Sequence, residues 1–205
     1  MISVLVFGGT FDPVHNGHLA IAHQARVATG AEVVWFVPAA LAPLRDPPEA
    51  SPEQRFELLD AACEAWGPPG LAVLDIAIRR GGVSYTAEVM DTLRAEYPDL
   101  DLAVLVGADA ARTINRWHRA DDLLGRERFV IVNRTGAPPL DPVEAEGLGF
   151  AAPRTTLLTL DSPDISAAEV RRRCARGEPL DGLVPDVVAS LIASKGLYRS
   201  NREDA

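Results

Sequence analysis

Cysteine, lysine and long apolar runs are all scarce in this 205-residue chain. The two cysteines, Cys63 and Cys174, match no metal-binding or redox spacing, as expected for a protein of the reducing cytoplasm. No apolar stretch approaches the ~20 residues that a membrane-spanning helix needs, and no basic segment precedes the apolar residues 2–7. We therefore expect neither a membrane association nor a signal peptide.

Basic side chains are outnumbered as well. The chain has 29 Asp and Glu against 20 Lys and Arg, for a formal net charge of −9, whereas proteins that bind the nucleic-acid backbone usually carry the opposite balance. Lys195 is the only lysine, so nearly all the positive charge is arginine, which can bind phosphate through two parallel hydrogen bonds. We expect no nucleic-acid partner, and any anionic ligand must be bound by a local basic site.

The alternation of apolar runs with helix-like segments predicts an α/β fold. The predicted strands are residues 2–7, 32–37, 71–76, 102–106, 129–132 and 156–160, and the predicted helices are residues 18–29, 85–97, 166–176 and 185–196, with a further helix opened by the capping pattern at Ser51. This order favours a Rossmann-like parallel sheet with helices on both faces. We expect a single domain over residues 1–205, with a helical C-terminal part at about residues 162–198. Two Pro- and Gly-rich stretches, residues 38–50 and 134–155, are predicted to be irregular, and the first is a candidate lid.

The most informative segment is residues 7–19, which read FGGTFDPVHNGHL between the first predicted strand and the first helix. In an open α/β sheet this loop lies at the carboxyl end of a strand, where ligands bind. Gly8 and Gly9 let the backbone approach an anion, the helix N-terminus favours phosphate, and His15 and His18 add hydrogen-bond donors. The P-loop and dinucleotide-binding patterns are absent, and the two histidines lack the spacing of a zinc helix. The segment predicts a nucleotide site.

Three later segments carry groups that could bind parts of a nucleotide. Ser166 begins a predicted helix that also carries Arg171, so a phosphate there would meet N–H groups, a hydroxyl and a guanidinium. Asp109 follows a predicted strand and either accepts from ribose hydroxyls or caps a helix over residues 110–115. Trp117 either stacks on a flat heterocycle or belongs to the core, and Ser84 lies where a helix N-terminus would bind a carboxylate or would simply be capped.

Taken in order, these motifs resemble the HxGH nucleotidyltransferase superfamily, and GGTFDPxHxGHL is especially similar to the nicotinate-mononucleotide adenylyltransferases. The resemblance implies transfer of AMP from ATP to nicotinate mononucleotide, with release of pyrophosphate. It implies that His15, His18 and Arg171 are catalytic. The ATP-binding residues that it implies are Gly8, Gly9, Thr10, Phe11, His15, His18, Gly107, Asp109, Ile165, Ser166 and Arg171. The acceptor-binding residues that it implies are Arg45, Ser84, Tyr85, Thr86, Trp117 and Arg134.

Two positions depart from the family pattern. Ala168 stands where many members carry threonine or serine, and Leu44 stands where histidine is frequent. They leave nicotinamide mononucleotide and phosphopantetheine open as alternative acceptors, and a non-catalytic nucleotide-binding homologue open as an alternative of another class. Mg²⁺ is expected to arrive with the ATP phosphates because the sequence shows no carboxylate cage, and Asp12 is expected to fix its turn. A homo-oligomer is compatible with the sequence, which specifies no oligomeric state.

Overall fold

The computed structural model describes residues 3–44, 46–134 and 138–199. Six strands form one parallel sheet in the order β3-β2-β1-β4-β5-β6. The strands are β1 (Val4–Gly9), β2 (Val33–Pro38), β3 (Leu71–Val73), β4 (Leu102–Gly107), β5 (Arg128–Arg134) and β6 (Thr155–Leu160). This is the Rossmann-like parallel sheet that the sequence predicts.

The helices connect consecutive strands and close the C-terminal part of the chain. They are α1 (Asn16–Thr29), α2 (Pro52–Ala65), α3 (Ile76–Arg80), α4 (Thr86–Glu96), α5 (Ala108–Ala111), α6 (Ala120–Arg126), α7 (Pro142–Gly147), α8 (Ala167–Arg176) and α9 (Asp186–Lys195), with a 3₁₀ helix at Ile114–Arg116. Among the described residues, no helix is both long and apolar enough to cross a lipid bilayer.

The two faces of the sheet are covered by different helices, because successive strand residues point to opposite faces. On one face Leu5 and Leu105 pack with residues of α1, α2, α8 and α9, among them Leu58. On the other face Val4 and Val104 pack with residues of α3 to α7. Helices therefore lie on both faces, as predicted, and the central strands are buried on both sides.

The strand order places the ligand-binding edge. β1 lies between β2 and β4, so the connections that leave the carboxyl ends of β1 and β4 diverge to opposite faces of the sheet. A crevice opens where the order reverses in this way, and ligands of open α/β sheets bind there. The loop of residues 10–15 and the start of α5 both lie at this point.

Three details of the sequence-based assignment were wrong. The predicted strand at residues 71–76 ends at Val73, and Ile76 instead begins α3 and buries its side chain against the second face. The stretch of residues 134–155 is not wholly irregular, because Asp141 accepts from the Glu144 N–H at 2.8 Å and caps α7. Helix α5 begins one residue before Asp109, so Asp109 is not its N-cap.

Candidate active site

A cleft of about 1080 Å³ opens at the reversal point of the sheet. It is bounded by the segments that follow β1, β2, β4 and β5 and by the beginnings of α4 and α8. The structure brings together sixteen of the seventeen residues that the sequence predicts for the site: Gly8, Gly9, Thr10, Phe11, His15, His18, Ser84, Tyr85, Thr86, Gly107, Asp109, Trp117, Arg134, Ile165, Ser166 and Arg171. The seventeenth, Arg45, lies outside the described residues.

The two histidines of the loop stack on each other at the beginning of α1. Their ring centroids are 3.6 Å apart with an interplanar angle of 25°. His15 occupies the N-cap position, and its backbone N–H donates to Nδ1 of His18 at 3.3 Å. Because Nδ1 of His18 is the acceptor, the neutral ring carries its proton on Nε2. His18 therefore has an N–H donor left for a ligand in the cleft.

Both imidazoles are neutral at neutral pH. Burial, with a smaller effect of the positive charge of Arg134, lowers the pKa of His15 from 6.5 to about 4. Burial also lowers the pKa of His18 well below its usual value, and the neighbouring His15 and Arg134 add to the effect. The pair can therefore donate hydrogen bonds to phosphate oxygens without itself carrying charge, while the positive charge at this end of the cleft comes from arginine.

The glycine-rich part of the loop is shaped by Phe11. Its φ angle is +50°, and its buried ring lies edge-on to the rings of Phe7, His18 and Phe36. A Cβ at Gly9 would lie 2.7 Å from Cζ of the Phe11 ring, closer than carbon atoms pack. The packing of the Phe11 ring thus requires glycine at position 9, and the approach of an anion to this backbone stays a prediction.

Asp12 fixes the turn, as expected from the sequence. Its carboxylate accepts from the N–H groups of Glu49 and Ala50 at 2.8 and 3.1 Å, and from the Tyr198 hydroxyl at 2.8 Å. Burial and the charge of Asp12 raise the pKa of Tyr198 far above its usual value, so the phenol remains a donor. The Asp12 side chain thus connects the histidine loop, residues 49–50 and the C-terminal Tyr198.

Arg55 is a functional candidate that the sequence analysis missed. It is fully buried in α2, and its guanidinium donates to the backbone carbonyls of Thr10, Ala40 and Ala50. Burial lowers the pKa of Arg55, and the nearby Asp12 carboxylate opposes that shift. The signal was present in the sequence, since residues 55, 58, 59, 62 and 63 recur at helical spacing on one face and only the first is charged.

Arg171 and Ser166 lie where α8 begins. Ser166 caps the helix, with its Oγ accepting from the Glu169 N–H at 3.2 Å. Nη1 of Arg171 donates to the Asp12 carbonyl at 2.8 Å, and Nε donates to Oε1 of Glu49 at 2.9 Å. The guanidinium is thus held against the histidine loop by two contacts, while its Nη2 group has no partner among the described residues.

Asp109 lies in the first turn of α5, and Gly107 is the N-cap. Its carboxylate accepts from Nη2 of Arg134 at 3.3 Å and lies 3.8 Å from Arg112. Asp109 is exposed and lines the cleft, so its carboxylate stays open to a hydroxyl ligand. Arg134 lines the same cleft, close enough for its charge to act on His15 and His18.

Three of the residues predicted for the acceptor side, Ser84, Tyr85 and Thr86, lie at the beginning of α4. The Ser84 hydroxyl accepts from the Ala40 N–H at 2.9 Å, so it holds the start of the segment of residues 38–50. The Tyr85 ring lies 4.5 Å from the His118 ring, and Nε1 of Trp117 donates to Oγ1 of Thr113 at 3.0 Å. The indole is half-buried against the second face of the core and also lines the cleft, so its packing agrees with the core interpretation and its stacking on a heterocycle stays a prediction.

Comparisons with known proteins agree with this geometry. Residues 6–173 match the sequence model of the family described as cytidylyltransferase-like. A "Probable nicotinate-nucleotide adenylyltransferase" of Gemmatimonas aurantiaca is 37% identical over 194 residues, which cover 95% of this chain and 91% of that relative. A protein of the same description from Herpetosiphon aurantiacus is 38% identical, with 97% and 99% of the two chains covered.

Solved structures show the same fold. Plasmodium falciparum nicotinic acid mononucleotide adenylyltransferase in complex with NaAD superposes with a TM-score of 0.78 at 16% sequence identity, over 97% of this chain and 98% of that one. The complex of the same enzyme with APC gives a TM-score of 0.76 at 15% identity, over 97% and 98% of the two chains.

Proposed function

The chain belongs to the cytidylyltransferase-like family and, within it, to the nicotinate-nucleotide adenylyltransferases, and from this premise we propose that it transfers AMP from ATP to nicotinate mononucleotide. The products are the nicotinate adenine dinucleotide, a precursor of NAD, and pyrophosphate. The observation that carries the proposal is the pair of neutral, stacked imidazoles of His15 and His18 at the N-terminus of α1, with Arg134 beside them. Such a set of donors is suited to a polyphosphate.

The transfer needs alignment more than covalent chemistry. An oxygen of the acceptor phosphate attacks the α-phosphorus of ATP, and the bond to the pyrophosphate oxygen breaks as the new bond forms. Hydrogen bonds from the imidazoles, Nε2–H of His18 included, would stabilise the negative charge on the α-phosphoryl oxygens. A buried neutral donor serves this purpose because it does not lose a proton during the step.

The β- and γ-phosphates would lie at the beginning of α8. Arg171 has an unpartnered Nη2 group, and the helix N-terminus capped by Ser166 favours negative charge. Ala168 removes one hydroxyl that many family members offer, so the guanidinium and the helix N-terminus carry more of the binding. The ribose of ATP would donate to the open carboxylate of Asp109.

The acceptor would bind between the beginning of α4 and Trp117. Thr86 and its backbone N–H lie at the start of that helix, which suits the nicotinate carboxylate, and the half-buried indole offers a face to the pyridine ring. Arg134 lines the cleft and its charge acts on the histidines, so its guanidinium would pair with the acceptor phosphate as that phosphate approaches the α-phosphorus.

Mg²⁺ enters the proposal as a companion of ATP. Within residues 3–44, 46–134 and 138–199, no group of three or more His, Cys, Asp or Glu is arranged to hold a metal ion. Its ligands would therefore be the phosphate oxygens and water, and when bound it would neutralise charge on the leaving pyrophosphate. We also propose the cytoplasm as the compartment, which suits the free thiols of Cys63 and Cys174.

The direct test is pyrophosphate release from ATP and Mg²⁺, with nicotinate mononucleotide, nicotinamide mononucleotide or phosphopantetheine offered in parallel. Preference for the first acceptor is the expected result. Preference for either of the others would keep the chemistry and correct the acceptor. No release with any of the three would contradict the proposed function.

A second test addresses the histidine pair. His18→Ala is expected to lower kcat by about 10²–10³, the usual cost of losing one donor to a developing charge, while the circular dichroism spectrum stays unchanged. His23→Ala, in the same helix and away from the cleft, is the matched control and should retain wild-type turnover. Unchanged AMP transfer in His18→Ala would refute the assignment of the loop.

A further inference from the structure

Arg55 is a buried charge that the proposed chemistry does not use. Its side chain has 0% relative exposure, although a guanidinium is costly to remove from water and an apolar side chain would pack α2 equally well. Each of its three nitrogens donates to a backbone carbonyl: Nη1 to Thr10 at 2.7 Å, Nη2 to Ala40 at 3.0 Å, and Nε to Ala50 at 3.2 Å. All three nitrogens of the planar fork are therefore engaged with the backbone.

The three carbonyls belong to two segments that border the cleft. Thr10 lies in the loop that we assign to ATP. Ala40 and Ala50 lie towards the two ends of the segment of residues 38–50, Ala40 beside Ser84 of the acceptor side and Ala50 next to Glu49, which accepts from Arg171. The same junction is closed by the Ala39 N–H, which donates to the Gly9 carbonyl at 2.9 Å. Between the two fixed ends Leu41 and Leu44 are exposed, at 48% and 52%.

We propose that Arg55 is a positioning residue for adenylyl transfer, holding the ATP loop and both ends of the segment of residues 38–50 in one fixed arrangement. This inference rests on the proposed function, since it concerns how the two substrates are aligned. In a reaction that depends on alignment, a shift of about 1 Å between the reacting atoms can cost on the order of 100-fold in rate. Arg55 touches no reacting atom and acts through the backbone that it holds.

The test compares Arg55→Lys with Leu58→Ala. Lysine keeps the charge but cannot reach three carbonyls with a planar fork, so kcat should fall about 10- to 100-fold while the KM of each substrate changes less than about threefold. Leu58 lies one turn further along α2, is equally buried and packs in the core, so its replacement destabilises the protein while the three hydrogen bonds of Arg55 stay in place. Leu58→Ala should keep its kcat at temperatures where both variants are folded.

Two results would overturn the inference: wild-type kcat in folded Arg55→Lys, or an equal loss of kcat in Leu58→Ala at the same loss of thermal stability. Arg55→Gln is the second variant, with an amide that donates to fewer carbonyls, and it should lose at least as much turnover as the lysine variant. If the wild-type protein shows no AMP transfer, the proposed function is contradicted and kcat can no longer test the role of Arg55. Hydrogen exchange, which needs no turnover, then tests whether Arg55 holds the two segments.

Hydrogen exchange of the wild-type protein also decides the question if neither Arg55 variant folds. The amides of Ala39, Glu49 and Ala50 should open together with the amides of α2, because one guanidinium joins them. Opening of these three amides at much lower free energy than α2, or independently of each other, would show that Arg55 does not hold the segments together and would overturn the inference.

Discussion

The neutral state of His15 makes the stability of the protein depend on pH in a predictable direction. Burial lowers the pKa of His15 in the folded protein to about 4, whereas the unfolded chain takes up the proton near 6.5. Between these values the unfolded state binds more protons than the folded state, so stability is complete above pH 6.5 and is lost as the pH falls towards 4. From pH 7 to pH 5 the loss from this one ring is about 2 kcal/mol, and by pH 4 it is about 3 kcal/mol.

The assay is urea unfolding of the wild-type protein and of His15→Asn at pH 7 and pH 5. Asparagine is a favoured N-cap residue, so α1 keeps its beginning, while the titrating group is removed. Carboxylates titrate alike in both proteins, so the difference between the two pH-dependent losses reports His15 together with its effect on the pKa of His18. The wild-type protein should lose about 2 kcal/mol more than the variant. Equal losses within about 0.5 kcal/mol would refute the reasoning that burial keeps this ring neutral.

Three further predictions concern the loop and its neighbours. Gly9→Ala places a Cβ 2.7 Å from a carbon of the Phe11 ring and should lower the free energy of unfolding in urea by about 1–3 kcal/mol. Gly8→Ala, whose Cβ would meet nothing within 4 Å, should cost much less. Equal costs would contradict the packing argument. Tyr198→Phe removes a buried donor to the Asp12 carboxylate and should lower the free energy of unfolding in urea by about 1.5–3 kcal/mol. A loss under about 0.5 kcal/mol would contradict a stabilising role of this hydrogen bond. Glu49→Gln removes a half-exposed carboxylate that pairs with the guanidinium of Arg171 in α8, so the free energy of unfolding should change by less than about 1 kcal/mol. The KM for ATP should fall severalfold, and a raised KM would contradict the placement of the phosphates there.

The sequence predicted the fold well, and the candidate site residues that the structure describes all line one cleft, because both results depend on local patterns. Apolar runs between helix-like segments define strands that are buried on both faces, and five of the six predicted strands agree with the structure to within two residues at each end. The histidine loop could be located since strand, glycines and helix beginning are adjacent in the chain. The exception is the strand predicted at residues 71–76. The apolar residues of this run fit a helix as well as a strand, and in the structure the strand ends at Val73 while Ile76 begins α3.

The missed features depend on contacts between residues far apart in the chain. No local pattern says that Tyr198 donates to Asp12, because the two are 186 residues apart. The helical spacing of the apolar residues in α2 indicates that Arg55 lies on the buried face, but its three acceptors are backbone carbonyls, which no sequence pattern identifies. The alternative of Asp109 as a cap was also wrong, because α5 begins two residues earlier than predicted and Asp109 pairs with Arg134 instead.

The bond between Tyr198 and Asp12 also bears on how the protein is made. The histidine loop leaves the ribosome early, yet the hydroxyl that completes its turn is synthesised 186 residues later. At ordinary rates of translation this is a delay of roughly 10–40 s, during which the carboxylate has no phenol to accept from. The strands of the sheet are synthesised before the C-terminal helices, whereas Tyr198 and Arg171, which both donate to Asp12, come later. A chain on a stalled ribosome would therefore lack the contacts that complete the nucleotide site, and we expect it to bind ATP weakly.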